Sequence, residues 1–196
     1  MRVLVIYCHP DETSFASALH AAVLESLTAS GHAVMDLDLY GEGFNPIMTL
    51  EERIEYSASP LYVKSVEKYA KQLASAEAIV AVYPTWWYGL PAMLKGYFDR
   101  VWAPGIAYDM TPEGSVDTKR LAHIGRIAVV TTYGAPWWLI RFYMGDPERK
   151  LWSRGIRKLC ARGCKLDWHA QYNMDRAPQS QLDKFVARVK RGMARW

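Results

Sequence analysis

Residues Arg2–Phe15, "RVLVIYCHPDETSF", set His9 beside Asp11 and Glu12 and follow them at once with Thr13 and Ser14. These side chains suit two different chemistries. An imidazole and carboxylates form half of a zinc site, which needs three or four such donors. Hydroxyls at the start of a helix, with the orphan N–H groups there, form an anion site fit for a phosphate. The plainest alternative is that Asp11, Thr13 or Ser14 only caps the helix. No glycine-rich cradle decides among them.

The more specific piece is "YPTWWYGLPAMLKGYFDRVW", Tyr83 to Trp102. Trp86, Trp87 and Tyr88 follow a strand that stops at Pro84, and Gly89 allows a tight turn. Three consecutive large rings on one loop are hard to bury together, and a flat heteroaromatic ligand would account for them. The N–H groups of Thr85 to Tyr88 are placed to meet its polar edge. Core aromatics in a Pro/Gly loop are the blander reading.

These loops need a scaffold, and the hydrophobic periodicity supplies one. Val3–Tyr7 is an apolar run expected as a buried strand, and the three- and four-residue spacing from Phe15 to Leu27 predicts a helix ended by Gly31. "HAVMDLDL", "EAIVAVYP", "GRIAVVTTYG" and "KLDWHAQY" read as four more strands. "SPLYVKSVEKYAKQLASA", "LPAMLKGYFDRVW", the basic stretch from Asp146 onward and "SQLDKFVARVKRGMARW" read as helices. Five alternations of strand and helix imply an α/β fold: a flavodoxin-like, doubly wound, five-stranded parallel sheet, order 2-1-3-4-5, with helices on both faces. In that order ligands lie at the carboxyl ends of the first, third and fourth strands. The loops expected there are 8–15, 84–90 and 131–138. One domain over 1–196 is expected from the length.

The composition, 51% hydrophobic and 22% charged, is that of an ordinary globule. Its net charge of +4 is unevenly spread: residues 1–148 carry 11 basic and 17 acidic side chains, residues 149–196 carry 13 and 3. A basic stripe of this kind suits a solvated helix face, an anionic cofactor or substrate, or nucleic acid. Cys8, Cys160 and Cys164 are an odd set, read as reduced thiols, with the last two spaced i,i+4 on an expected helix. With no signal-like h-region and no apolar run of membrane-spanning length, a cytoplasmic protein is expected.

Two resemblances bear on the opening motif. It is similar to the His-Pro-Asp-Asp-Glu start of zinc-dependent sugar N-deacetylases, with one acid missing. His123 and His169 are the only plausible further donors, the first at the wrong end of its strand and the second within one. The aromatic loop, by contrast, closely resembles the flavodoxin-like NAD(P)H:quinone oxidoreductases of the DT-diaphorase and modulator-of-drug-activity type. Their Pro-x-x-Trp-[Phe/Tyr]-Gly-x-Pro-Ala-x-Leu-Lys-Gly motif is nearly unbroken from Pro84 to Gly96. "HPDETSF", "DLY" with "FNPI" (Asp38–Tyr40, Phe44–Ile47), "AYDM" (Ala107–Met110), "TTYG" (Thr131–Gly134) and Gly145-Asp146 extend it over most of the chain from Val3 to Asp146.

That resemblance implies a bound flavin, FAD or FMN with FAD slightly favoured, and NAD(P)H as electron donor. His9, Thr13, Ser14, Phe15 and Ala16 would hold the phosphate. Pro84, Thr85, Trp86, Trp87 and Tyr88 would frame one edge of the ring system, and Thr131, Thr132, Tyr133 and Gly134 the other. Tyr108, Met110 and Trp138 would border a pocket for a quinone-like acceptor. The family implies a homodimer, no metal and no nucleic acid. An ancillary role on a potassium-efflux transporter, by peripheral membrane contact, is the alternative. Two departures stand out: Tyr133 replaces a glycine of the family's Thr-Thr-Gly-Gly, so the loop runs differently or Tyr133 covers the ring. Trp138 and Met144 replace a tyrosine and a histidine that move charge in DT-diaphorase-like members, so no catalytic acid is assigned.

Overall fold

The computed structural model describes residues 1–56, 64–111 and 113–196. Its main sheet holds β1 (Arg2–Tyr7), β2 (Ala33–Asp38), β3 (Ala78–Pro84), β6 (Arg126–Thr132) and β7 (Lys165–Gln171) in the order β2-β1-β3-β6-β7, all parallel. Counted along the sheet alone, this is the expected 2-1-3-4-5. The central strands read as unbroken apolar runs because both faces are covered. Every residue of β3 is buried. Val3, Val5 and Tyr7 of β1 pack under α1 (Phe15–Ala29) and the closing helix α6 (Gln179–Met193). Leu4 and Ile6 face the opposite layer, which includes α3 (Glu67–Ser75) and α4 (Ala92–Val101). Each such Val, Leu or Ile contributes about 1.5–3 kcal/mol by leaving water.

The expected helix over 59–76 is described only from Lys64 onward; residues 59–63 lie outside the described residues. Helix α1 starts where Ser14 accepts from the Ser17 N–H, and Gly31, at φ +76°, follows its end. Two elements go beyond the periodicity. Short α2 (Leu50–Glu55) is fixed by a reciprocal cap between Thr49 and Glu52. A hairpin of β4 (Tyr108–Met110) and β5 (Val116–Lys119) follows α4.

The basic stretch is not the single α-helix expected. It runs as one α turn, α5 (Pro147–Lys150), a π turn over Leu151–Gly155 and a 3₁₀ turn over Ile156–Leu159. Gly155, at φ −94° and ψ −80°, leaves helical geometry. Cys160 and Cys164 therefore lie after the helical turns, not one turn apart on a helix. Lys119, Arg157, Lys158, Arg162 and Lys165 line a cleft there. Pairing of Lys165 with Gly125, just ahead of β6, puts this cleft at the amino ends of the strands, away from the ligand edge. Among the described residues no helix is long and apolar enough to cross a membrane.

Candidate functional site

The three predicted loops meet at the carboxyl ends of β1, β3 and β6. In the first, Asp11 Oδ1 accepts from the Thr13 N–H at 2.8 Å and from its hydroxyl at 2.7 Å. Those two bonds hold the Asp11 carboxyl below the ordinary carboxylate range. Both Thr13 donors are thus satisfied within the chain. The Asp11 N–H donates to His9 Nδ1 at 3.0 Å, and the His9 ring stands 6.0 Å from Trp86, tying the first loop to the second. Phe15 and Ala16 instead pack inward, Phe15 6.2 Å from Phe185 and Ala16 in the core. Their N–H groups, at the helix start, have no intrahelical acceptor.

In the second loop Trp86 and Gly89 exchange two backbone hydrogen bonds of 3.1 Å. Between them Trp87 and Tyr88 take φ +50° and +61°, as a two-residue I′ turn requires. The turn rests on these two, not on Gly89 as expected. Trp87 is 96% exposed, and Trp86 and Tyr88 remain substantially exposed. The N–H groups of Thr85 and Trp86 are consumed by Thr132 and Gly89, so of the four expected to face a ligand only those of Trp87 and Tyr88 stay outside backbone pairing.

The third loop resolves the Tyr133 question. Tyr133 does not take a positive φ. Its N–H donates to the Gln171 carbonyl at 2.7 Å, and its buried ring stacks on Tyr172 at 4.9 Å. Its side chain lines a hollow at this edge. Thr131 and Thr132 are buried at the end of β6, and Gly134 leaves room where a Cβ would come within 2.7 Å of Asp175 Oδ2.

Two adjoining hollows result. One, about 250 Å³, is lined by Thr85, Trp87, Tyr88, Tyr133, Gly134 and Ile140 among others. The second, about 540 Å³, shares Thr85, Trp87 and Gly134 and adds Pro84, Trp86, Thr132 and Asp175. Tyr108, Met110 and Trp138, expected beside the acceptor, line neither. Tyr108 packs on the core under its hairpin, while Met110 and Trp138 are exposed elsewhere. Trp138 and Met144 carry no group that titrates.

Sequence reading missed Glu148, Asp175 and Ile140. Glu148 is 2% exposed, directly behind Thr85, whose hydroxyl donates to Glu148 Oε2 at 2.7 Å and lies 2.9 Å from Thr131 Oγ1. Burial raises the Glu148 carboxyl above its ordinary range, against hydroxyls of Tyr83, Thr85 and Tyr133 that lower it. The metal reading lacks its partners: His123 approaches the Leu73 carbonyl below the sheet, and His169 stands within β7, where burial lowers its imidazole. Among the described residues no three His, Cys, Asp or Glu side chains gather as a metal cluster.

Parallel order, switch point and ring-lined strand ends define a doubly wound α/β protein with its ligand edge over β1, β3 and β6. Residues 1–152 match the model of a family described by its flavodoxin-like fold. The chain belongs to that family. It is 36% identical over 108 residues to an uncharacterized NAD(P)H oxidoreductase, YcaK, of Escherichia coli (strain K12), covering 55% of each chain. It is 28% identical over 181 residues to NAD(P)H dehydrogenase [quinone] 1 of Rattus norvegicus, covering 81% of this chain and 64% of that one. The chain thus spans between about half and two thirds of these relatives. Among solved structures, an FMN-dependent NADH-azoreductase from Bacillus anthracis str. Ames Ancestor, in complex with FMN, shares the fold at a TM-score of 0.77 and 17% identity, over 99% of this chain and 98% of that one.

Proposed function

We propose that this chain, as one domain over 1–196, is a flavin-dependent NAD(P)H oxidoreductase acting on a quinone or similar flat acceptor. The observation that carries the reading is the pair of adjoining hollows framed by Thr85, Trp87 and Gly134, with the start of α1 tied to them through His9 and Trp86. The names of the relatives support the donor and acceptor classes. The FMN in the Bacillus anthracis azoreductase supports a flavin in a fold of this shape.

When bound, the flavin supplies hydride transfer between NAD(P)H and the acceptor. This chain's residues hold and orient it. Ser14 and the first turn of α1 take the phosphate, joined by Thr13 once it releases Asp11, with His9 and Trp86 bracing the loop. Trp86, Trp87 and Tyr88 offer ring faces, and the free N–H groups of Trp87 and Tyr88 offer donors to a polar edge. Thr132 and Gly134 bound the opposite side, where any larger residue at 134 would fill the space. FAD or FMN fits this set of contacts.

Exposed Trp137, Trp138, Phe142 and Tyr143 on one tract support a homodimer. Such a protein would work in the cytoplasm. The freshly purified protein is expected to show flavin absorption, to release FAD or FMN on denaturation, and to oxidise NAD(P)H steadily with menadione. A colourless protein that takes up neither flavin overturns the proposal.

A further inference from the structure

Behind the first hollow lies a polar group that neither capping nor packing calls for. Glu148 sits in the first turn of α5, yet its side chain makes no cap bond there. Its Oε2 is 2.7 Å from Thr85 Oγ1, while Oε1 is buried with no hydrogen-bond partner. The Tyr133 hydroxyl faces the same carboxyl, buried and likewise outside bonding geometry. Tyr83, fully buried, accepts from Trp152 Nε1 at 2.7 Å and faces Glu148 from β3. The nearby charge is Asp146, another acid, and among the described residues no cation pairs with Glu148. An ionised carboxylate buried without a counter-charge costs several kcal/mol. Burial without a counter-charge raises the carboxyl, and whenever it holds a proton the 2.7 Å contact reverses, its O–H donating to Thr85 Oγ1.

Thr85 lines both hollows. With the flavin in the larger hollow, the acid is one hydroxyl away from the smaller one, where an acceptor would lie beside the flavin. We infer that Glu148 is a positioning residue for a proton, holding one beneath the hollow and passing it to the acceptor through the Thr85 hydroxyl. This rests on the reductase reading. Reduction of a quinone to a hydroquinone takes two electrons and two protons. The hydride brings both electrons and one proton, so one more proton must arrive. In the relay the Glu148 O–H bond breaks as a bond to Thr85 Oγ1 forms, and the Thr85 proton passes to the acceptor oxygen. The hydroxyls of Tyr83 and Tyr133 face the carboxylate left behind, and a solvent proton restores the acid. Among the other side chains lining the first hollow, Trp87, Ala135 and Ile140 have no proton to give and the Tyr133 phenol faces Glu148 itself, which leaves the Tyr88 phenol as the competitor.

The test compares two acceptors. Menadione needs the proton; ferricyanide takes electrons alone. For holoenzyme carrying Glu148→Gln, the menadione-to-ferricyanide rate ratio is expected to fall at least about tenfold. Thr85→Val is expected to do the same and Thr85→Ser to restore the ratio, so the result does not hang on one variant folding. Infrared spectra of the flavin-stripped protein are expected to show a protonated carboxyl C=O band that Glu148→Gln removes. A wild type that turns over with a ratio unaffected by Glu148→Gln, a band that survives that change, or a selective loss from Tyr88→Phe instead would each overturn the inference alone. A wild type that holds no flavin and oxidises no NAD(P)H would overturn the reductase reading and the relay with it.

Discussion

Gly96 and Pro46 meet so closely that a Cβ on Gly96 would stand 2.3 Å from the proline Cβ and 2.4 Å from its carbonyl oxygen. Helix α4 presses here on the loop 44–49, and it grips the same loop elsewhere. Arg100 donates to the Asn45 carbonyl and to buried Glu52, and Phe44 stacks edge-on against Tyr69 and Tyr97.

Because the neighbour at 96 is backbone, it cannot swing aside. Gly96→Ala is expected to destabilise the protein by about 1–3 kcal/mol, although alanine is the better helix former. Urea unfolding measures it, and a variant as stable as wild type would mean that α4 and the loop part easily.

Much of this fold could be read before any coordinates, for identifiable reasons. The buried strands β1, β3 and β6 announce themselves because Val and Ile fill both faces. Hairpin β4–β5 did not, since "YDM" and "VDTK" are short and largely polar. Helix α2 carried its signal in Thr49 and Glu52, but only six residues follow it. Nothing in side-chain propensity separates the π turn at 151–155 from an α turn. Glu148 was hidden for another reason: beside Arg149 and Lys150 a glutamate reads as solvated, and only the fold carries it under Thr85. Tyr133 was legible as a departure, but its direction was decided by the aromatic Tyr172 on the neighbouring strand's end.

Trp87 combines near-complete exposure with a left-handed backbone, a conformation costing about 1–2 kcal/mol for a residue with a Cβ. Asn tolerates that conformation better. Trp87→Asn is expected to stabilise the flavin-stripped protein by about 0.5–1 kcal/mol while weakening flavin retention. Thermal unfolding and equilibrium dialysis report the two effects separately. Retention equal to wild type would remove Trp87 from the flavin's surroundings.

At Gly134 the obstacle to a side chain is the Asp175 carboxylate, 2.7 Å from a Cβ. Gly134→Val is expected to lower flavin affinity about tenfold or more, near 1.4 kcal/mol. In Gly134→Ala the smaller methyl asks only that Asp175 move, so adding Asp175→Ala is expected to recover most of that variant's loss. Flavin titration by fluorescence quenching decides it. Unchanged affinity in Gly134→Val would place the flavin away from this loop.

The raised carboxyl of Glu148 has a consequence for stability that needs no flavin. In the unfolded chain it titrates near the ordinary 4.5, and in the folded protein above that. Between the two values the native state holds a proton that the unfolded state has released. This contribution to stability is fully present below 4.5 and is lost as pH rises through the folded value. Glu148→Gln carries no such proton. The unfolding free energy of the variant minus that of wild type is therefore expected to rise with pH above 4.5, by at most about 1.4 kcal/mol per pH unit, and to level off once the folded carboxyl has ionised. Urea midpoints across pH 4 to 9 would show it, roughly the range in which most domains stay folded. A difference independent of pH would mean that Glu148 is already a carboxylate in the folded protein, sustained by the hydroxyls of Tyr83, Thr85 and Tyr133.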